Sequence, residues 1–109
     1  MKVILKRHSD KDKFSFTFVE GDRTLLKSQL YASKRNAMTG INAVMKNASL
    51  DRRYSLKEAK DGRWYFNLKA SNGKIVGTSP MFKTKKEAQD AINLLKEKAY
   101  SASIEYVEE

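Results

Sequence analysis

His8 is the single histidine of a cysteine-free chain, so a search for chemistry begins there. Asp10 and Asp12 stand just after it, and one imidazole with two carboxylates is a conceivable metal-ligand set. Zinc and the transition metals require a defined ligand set on rigid elements, whereas this stretch reads as a polar link between two strands. A surface loop without metal is expected. As a general base His8 has the same weakness, because no nucleophile is paired with it by spacing. Ser28 and Ser79 occupy matching positions at strand ends, yet neither lies in Gly-x-Ser-x-Gly, and one histidine cannot serve two triads. Each is expected to make a hydrogen bond in a strand-to-helix connection. Glu20 is matched by Ala70 in a second, similar stretch, and Glu58 has no acidic partner at a catalytic spacing. Gly21, Gly62, Gly73 and Gly77 are isolated turn or strand glycines rather than a phosphate-cradling run. No catalytic residue, cofactor or metal is expected, and the chain reads as non-enzymatic.

Charge offers a different chemistry. The 22 Lys+Arg outnumber the 13 Asp+Glu, giving a formal charge of +9. Such a balance permits attraction to nucleic acid, an anionic membrane or an acidic protein, and identifies none of them. Two basic surfaces can be drawn. On one strand Tyr65 shares a face with Asn67 and Lys69, which makes Tyr65 a stacking and Lys69 a phosphate-contacting candidate, with Lys13, Arg63 and Lys74 as further phosphate contacts. The other surface is the pair of helix starts, Lys34-Arg35 and Lys85-Lys86 beside Lys83. Cations in a first turn oppose the helix dipole by a few tenths of a kcal/mol each, a cost that an anionic partner offsets. The plainer reading of both is a solvated, lysine-rich surface.

The elements that must position these residues are written twice. Phe14, Phe16 and Phe18 alternate along 13–20, and Trp64, Phe66 and Leu68 do so fifty residues later. A period of two is a strand with one apolar face that must be covered. These aromatics are therefore assigned to a core rather than to base stacking. Both strands end in turn chemistry, Gly21-Asp22 and then Asn72-Gly73, the latter the stronger hairpin signal. Beyond the turns the offset becomes 51: Leu25 matches Val76, Ser28 matches Ser79, and Tyr31 matches Phe82. One extra residue in the second hairpin loop accounts for this, since a slip within a strand would turn its apolar side to water. Ser33 and Thr84 are suited to cap helices, Thr84 with Glu87 as a capping box. Ala37, Ile41, Val44, Met45 and Ala48 form one apolar stripe; Ala88, Ala91, Ile92, Leu95 and Ala99 form its match. Val3-Ile4-Leu5, Arg53–Leu56 and Ile104–Val107 supply the remaining strands, Asn47–Asp51 reads as a short polar link, and Pro80 falls at a strand end where its missing N–H is tolerated.

A chain of 109 residues fits one domain, whereas copies of about fifty residues would each be marginal alone. The expectation is a single domain, 1–109, made of repeats at approximately 1–50 and 51–109. Its class is α+β, with a single open, mainly antiparallel sheet and two helices on one face. The three apolar residues near the start are too few for a signal-peptide core or a membrane span, and a cytoplasmic setting is expected without membrane attachment. The partner is unassigned. A protein or a second copy at the sheet edges or polar face is the first expectation, and sequence-nonselective nucleic-acid binding through a lysine-rich face is the alternative.

Written out in register, the second copy resembles the YegP-like family, also called domain of unknown function 1508 or UPF0339. The matching residues are Asp61-Gly62-Arg63-Trp64-Tyr65-Phe66-Asn67-Leu68-Lys69-Ala70, Asn72-Gly73, Ile75-Val76-Gly77-Thr78-Ser79, and Met81-Phe82 with Lys85, Ala88 and Ile92. The first copy is a diverged version that keeps Ser28, Tyr31, Ala37, Gly40 and Ile41 and has Gly21-Asp22 at the turn. The resemblance implies tandem β-β-β-α-β repeats that build one sheet and exchange terminal strands. It implies no catalytic or ligand-binding residues.

Overall fold

The computed structural model describes residues 1–109. Strands β1 (Lys2–His8), β2 (Lys13–Glu20) and β3 (Arg23–Lys27) lead into helix α1 (Lys34–Asn47). Strands β4 (Tyr54–Glu58), β5 (Trp64–Lys69) and β6 (Ile75–Thr78) lead into α2 (Lys85–Lys98), and β7 (Ser103–Glu108) follows. All seven strands form one sheet in the order β4-β5-β6-β3-β2-β1-β7. Every neighbouring pair is antiparallel except β1 and β7, which run parallel. The strand that follows each helix lies in the other copy's half of the sheet: β4 beside β5, and β7 beside β1.

Alternation along the strands decides which side the helices cover. Phe16, Phe18, Phe66 and Leu68 are fully buried, with Val3 and Leu5 paired opposite Phe18 and Phe16. Burying a side chain of this size is worth roughly 1.5–3 kcal/mol relative to leaving it in water. The helix stripes meet this face through Ala37, Ile41 and Val44 on α1 and through Ala88, Ala91, Ile92 and Leu95 on α2, so residues of both copies join one core. Met45 is only partly buried against it. Ser33 accepts from the Asn36 N–H at 3.0 Å and Thr84 from the Glu87 N–H at 3.1 Å, fixing the start of each helix.

The copies match in detail. The register shifts at matching places in both hairpins: the pairing skips Leu25 of β3 opposite Phe18 and Val19, and Val76 of β6 opposite Leu68 and Lys69. Phe14 bridges to Tyr31 as Trp64 bridges to Phe82. Tyr31 stacks on Phe16 with ring centres 6.0 Å apart, and Phe82 on Phe66 at 6.4 Å. The Phe16 N–H donates to Ser28 Oγ, and the Phe66 N–H to Ser79 Oγ, both at 2.9 Å. Each serine hydroxyl donates onward, to the carbonyl of Gln29 or Pro80. The first hairpin closes over Gly21-Asp22 between paired Glu20 and Arg23. The second bonds Ala70 N–H to Lys74 O at 2.9 Å across one more residue, with Gly73 at φ 84°.

The halves meet at a short seam where Lys27 pairs with Thr78. Beside that pair Leu26 of β3 occupies the space in front of Gly77 of β6; a Cβ on Gly77 would lie 2.6 Å from the Leu26 side chain. These two residues hold the same position in their respective copies. Two further placements differ from the sequence reading. His8 ends β1 rather than lying in a loop, because pairing with Lys13 extends the strand that far. Asn47 is buried rather than part of a polar link, since its amide donates to Ala43 O at 2.8 Å and accepts from Arg53 Nε at 2.9 Å.

Candidate functional site

With both helices on one side, the other side of the sheet is open. The pairing registers place alternate residues there: Lys57 beside Tyr65, Asn67 beside Thr78, Thr78 beside Lys27, and Lys27 beside Thr17. Lys69 follows on β5, and Ser15 and Lys13 on β2 face Lys6 and His8 of β1. The strand that gives Phe66 and Leu68 to the core thus gives Tyr65, Asn67 and Lys69 to this face, as the alternation required. Asn67 is itself mostly buried, and its Oδ1 accepts from the Thr78 hydroxyl at 2.9 Å. A recess of about 410 Å³ runs along the seam, lined by Lys27, Ser28, Gln29, Val76, Thr78 and Ser79 among others.

Acidic groups reach this face only at its β7 edge. Glu105 pairs with Lys2 at 3.5 Å, and Glu109 approaches Lys6 at 3.6 Å and His8 Nδ1 at 3.2 Å. The other nitrogen of His8 bonds Ser15 Oγ at 2.7 Å. Lys13, Lys27, Lys57 and Lys69 have no ion-pair partner. Like charges spaced along a pleated surface with hydroxyl and amide groups between them form an extended positive strip.

The candidate contact residues singled out in the sequence divide into three groups. Tyr65 and Lys69 come together on the open face, joined by Lys27 and Lys57, and Lys13 lies at the far end of β2. Lys27 and Lys57 were missed, although each directly follows a core-facing leucine and so had to point outward. The helix starts lie on the covered side and are partly engaged. Lys34 Nζ sits 4.0 Å from the Tyr106 ring centre, Lys85 Nζ 5.5 Å from that of Trp64, and Lys86 is 3.6 Å from Asp90, while Arg35 is exposed. Arg63 is tied to Asp61, whose carboxylate accepts from its main-chain N–H and from Nε at 2.7 Å; both bonds hold that carboxyl below the usual range. Lys74 stands in the second hairpin turn, against α1 rather than on the open face. No three His, Cys, Asp or Glu side chains are grouped so as to hold a metal ion.

Comparison with known proteins places this doubled sheet. The model of the family described as "Domain of unknown function (DUF1508)" matches residues 9–55 and again 59–105. The chain belongs to this family. It is 38% identical over 101 residues to the UPF0339 protein YegP of Escherichia coli K12, covering 92% of this chain and 91% of that one. A UPF0339 protein of Bordetella pertussis is 44% identical over 78 residues, 72% of this chain and 70% of its own length. The solution structure of yegP from E. coli superposes with a TM-score of 0.89 at 35% identity, covering 98% of this chain and 92% of that chain. A UPF0339 protein from Shewanella oneidensis gives 0.89 at 33%, covering 96% and 89%. Each DUF1508 match spans a β-β-α run, β2-β3-α1 and then β5-β6-α2, and reaches the start of the strand that follows; the second includes Tyr65 and Lys69. No helix of this DUF1508 protein is long and apolar enough to cross a membrane.

Proposed function

We propose that this protein is a small non-enzymatic interaction module whose open sheet face binds a nucleic-acid backbone without sequence selection. The observation that carries this reading is the strip of Lys27, Lys57 and Lys69 around Tyr65, free of acidic partners, on a sheet face that no helix covers. Lysines spaced along such a face suit phosphates, hydroxyl-bearing neighbours suit sugar and phosphate oxygens, and the partly exposed Tyr65 ring offers a stacking surface. The cytoplasmic setting expected of this basic, cysteine-free chain belongs to the same reading. Fluorescence anisotropy with a labelled single-stranded oligonucleotide tests it. Affinity is expected to fall steeply from about 50 to 200 mM salt. Lys27→Glu with Lys69→Glu is expected to weaken binding and flatten that slope, while Lys74→Glu, away from the face, changes little. Absence of binding at the low-salt end, or indifference to the double substitution, overturns the proposal.

A second reading rests on β7. This edge strand exposes Ile104, Tyr106 and Val107, an apolar exposure that edge strands ordinarily avoid. Strand addition there would recruit a protein or a second copy. Its signature is a concentration-dependent rise in mass that Val107→Lys abolishes.

A further inference from the structure

The two copies differ most where a helix meets the opposite hairpin. Between α1 and the β5–β6 hairpin lies a cleft of about 410 Å³, lined by Tyr31, Asn36, Gly40, Ala43, Lys74 and Val76 among others. That volume falls within the range of small-molecule sites. None of its lining residues is acidic, and Lys74 is its one charged group. At the matching place in the second copy, between α2 and the β2–β3 hairpin, no comparable cleft exists. The matched residues explain why. Ala43 corresponds to Leu94, which packs against the core, and Gly40 corresponds to the buried Ala91. Tyr31 corresponds to Phe82, so only the first copy carries a hydroxyl here.

Gly40 and Tyr31 fit one another closely. A Cβ on Gly40 would lie 2.5 Å from the Tyr31 hydroxyl oxygen and 2.9 Å from Phe16, so the phenol occupies the space that Ala91 fills in the second copy. The hydroxyls of Tyr54 and Tyr106 donate to Ala48 O at 2.6 Å and to Glu108 at 3.1 Å, whereas that of Tyr31 makes no bond within the protein. It is not sealed from solvent either, because no buried side-chain polar atom is left without a partner. Like any tyrosine it is protonated at neutral pH and can donate a hydrogen bond, and burial raises its pKa further above the ordinary value.

We propose that this cleft binds a small organic anion, its carboxylate or phosphate held by Lys74 and the Tyr31 hydroxyl and its apolar body lying against Ala43 and Val76. A cation and a free donor above small apolar side chains match that chemistry, since the charged head needs charge-assisted hydrogen bonds and the body needs contact area. The cleft adjoins the recess along the seam and shares Val76 with it, but Tyr31 and Lys74 line the cleft alone, so substitutions at Lys74 and at the open-face lysines test the two proposals separately.

The test is an amide-resolved NMR titration of the intact protein with benzoate, phenyl phosphate and, as a bare anion, inorganic phosphate. Benzoate or phenyl phosphate is expected to shift Gly40, Lys74 and Val76 saturably, with inorganic phosphate binding more weakly. Ala43→Leu, which installs the side chain that the second copy carries, is expected to abolish those shifts. Lys74→Gln, in an exposed turn, is expected to lower affinity roughly tenfold or more, and it carries the test should Ala43→Leu fail to fold. Absence of saturable shifts with both organic probes overturns the proposal. So do shifts spread over the open-face lysines, undiminished binding in either folded variant, or inorganic phosphate binding as tightly as the organic probes.

Discussion

The two copies use the same hydrogen bonds to build the same frame and different side chains wherever the frame touches its twin. The stacked aromatic pairs, the bulges, the serine latches and the helix caps recur at matching positions. The departures are reciprocal: Leu26 against Gly77 at the seam, and Gly40 with Tyr31 against Ala91 with Phe82 under the helices. Leu26 stands across the seam from its own small counterpart, whereas Tyr31 fills within the first copy the space that the Ala91 methyl takes in the second. Local frames can therefore stay alike while the surfaces between them diverge, because a strand's own pairing is indifferent to what its neighbour's far side carries.

Restoring identity at the seam should have the largest effect. Gly77→Leu drives a second branched side chain into the space Leu26 holds, with an expected loss of about 3 kcal/mol in urea unfolding. Pairing it with Leu26→Gly should recover part of that loss, giving a non-additive double-mutant cycle. Strict additivity would show that the residues do not share the space.

The serine latches should give an intermediate effect that separates the copies by degree. Ser79 is buried and Ser28 only partly so. Ser79→Ala, which strands the Phe66 N–H, is expected to cost about 2 kcal/mol, and Ser28→Ala about 1 kcal/mol where water can replace the hydroxyl. Equal losses would mean that solvent reaches both sites alike.

The smallest effect should come from Glu20, whose counterpart is Ala70. The Lys98 ammonium, 2.7 Å away, and the Met1 amine, 3.4 Å away, hold its carboxyl below the ordinary glutamate value. A lowered folded pKa contributes stability that is complete above the ordinary value and is lost as pH falls through the folded one. Glu20→Gln should lower the urea midpoint slightly at neutral pH and converge with the parent in strong acid. A constant difference across the whole pH range would assign the effect to packing.

Much of this arrangement was legible because it is local. The alternation at Phe14, Phe16 and Phe18, the helix stripes and the extra residue near Asn72-Gly73 are written in neighbouring positions, and the structure carries them as read. The matched serines were legible for the same reason. The seam was not, since nothing in Leu26 or Gly77 alone says that they face each other. His8 was misplaced because strand pairing with Lys13 overrides its polar surroundings. The cleft depends on residues distant in sequence and on the smallness of Gly40 and Ala43, and an absence of atoms leaves no periodic trace. Of the candidate contacts, Tyr65 and Lys69 share the open face as the period of two expected, while charge alone could not separate Lys69 from Lys74 or the helix starts.

The parallel pairing of β1 with β7 has a consequence during synthesis. Lys2 meets Glu105 across 103 positions. At roughly 5–20 residues per second on the ribosome, β1 spends several seconds emerged with one flank unpaired. Lys2, Lys6 and Arg7 stand on that flank throughout, and strand-borne charge discourages stray chains from pairing there. When β7 arrives, Glu105 and Glu109 take up Lys2 and Lys6. The same lysines then serve first as guards of a nascent edge and afterwards as its closing clasp.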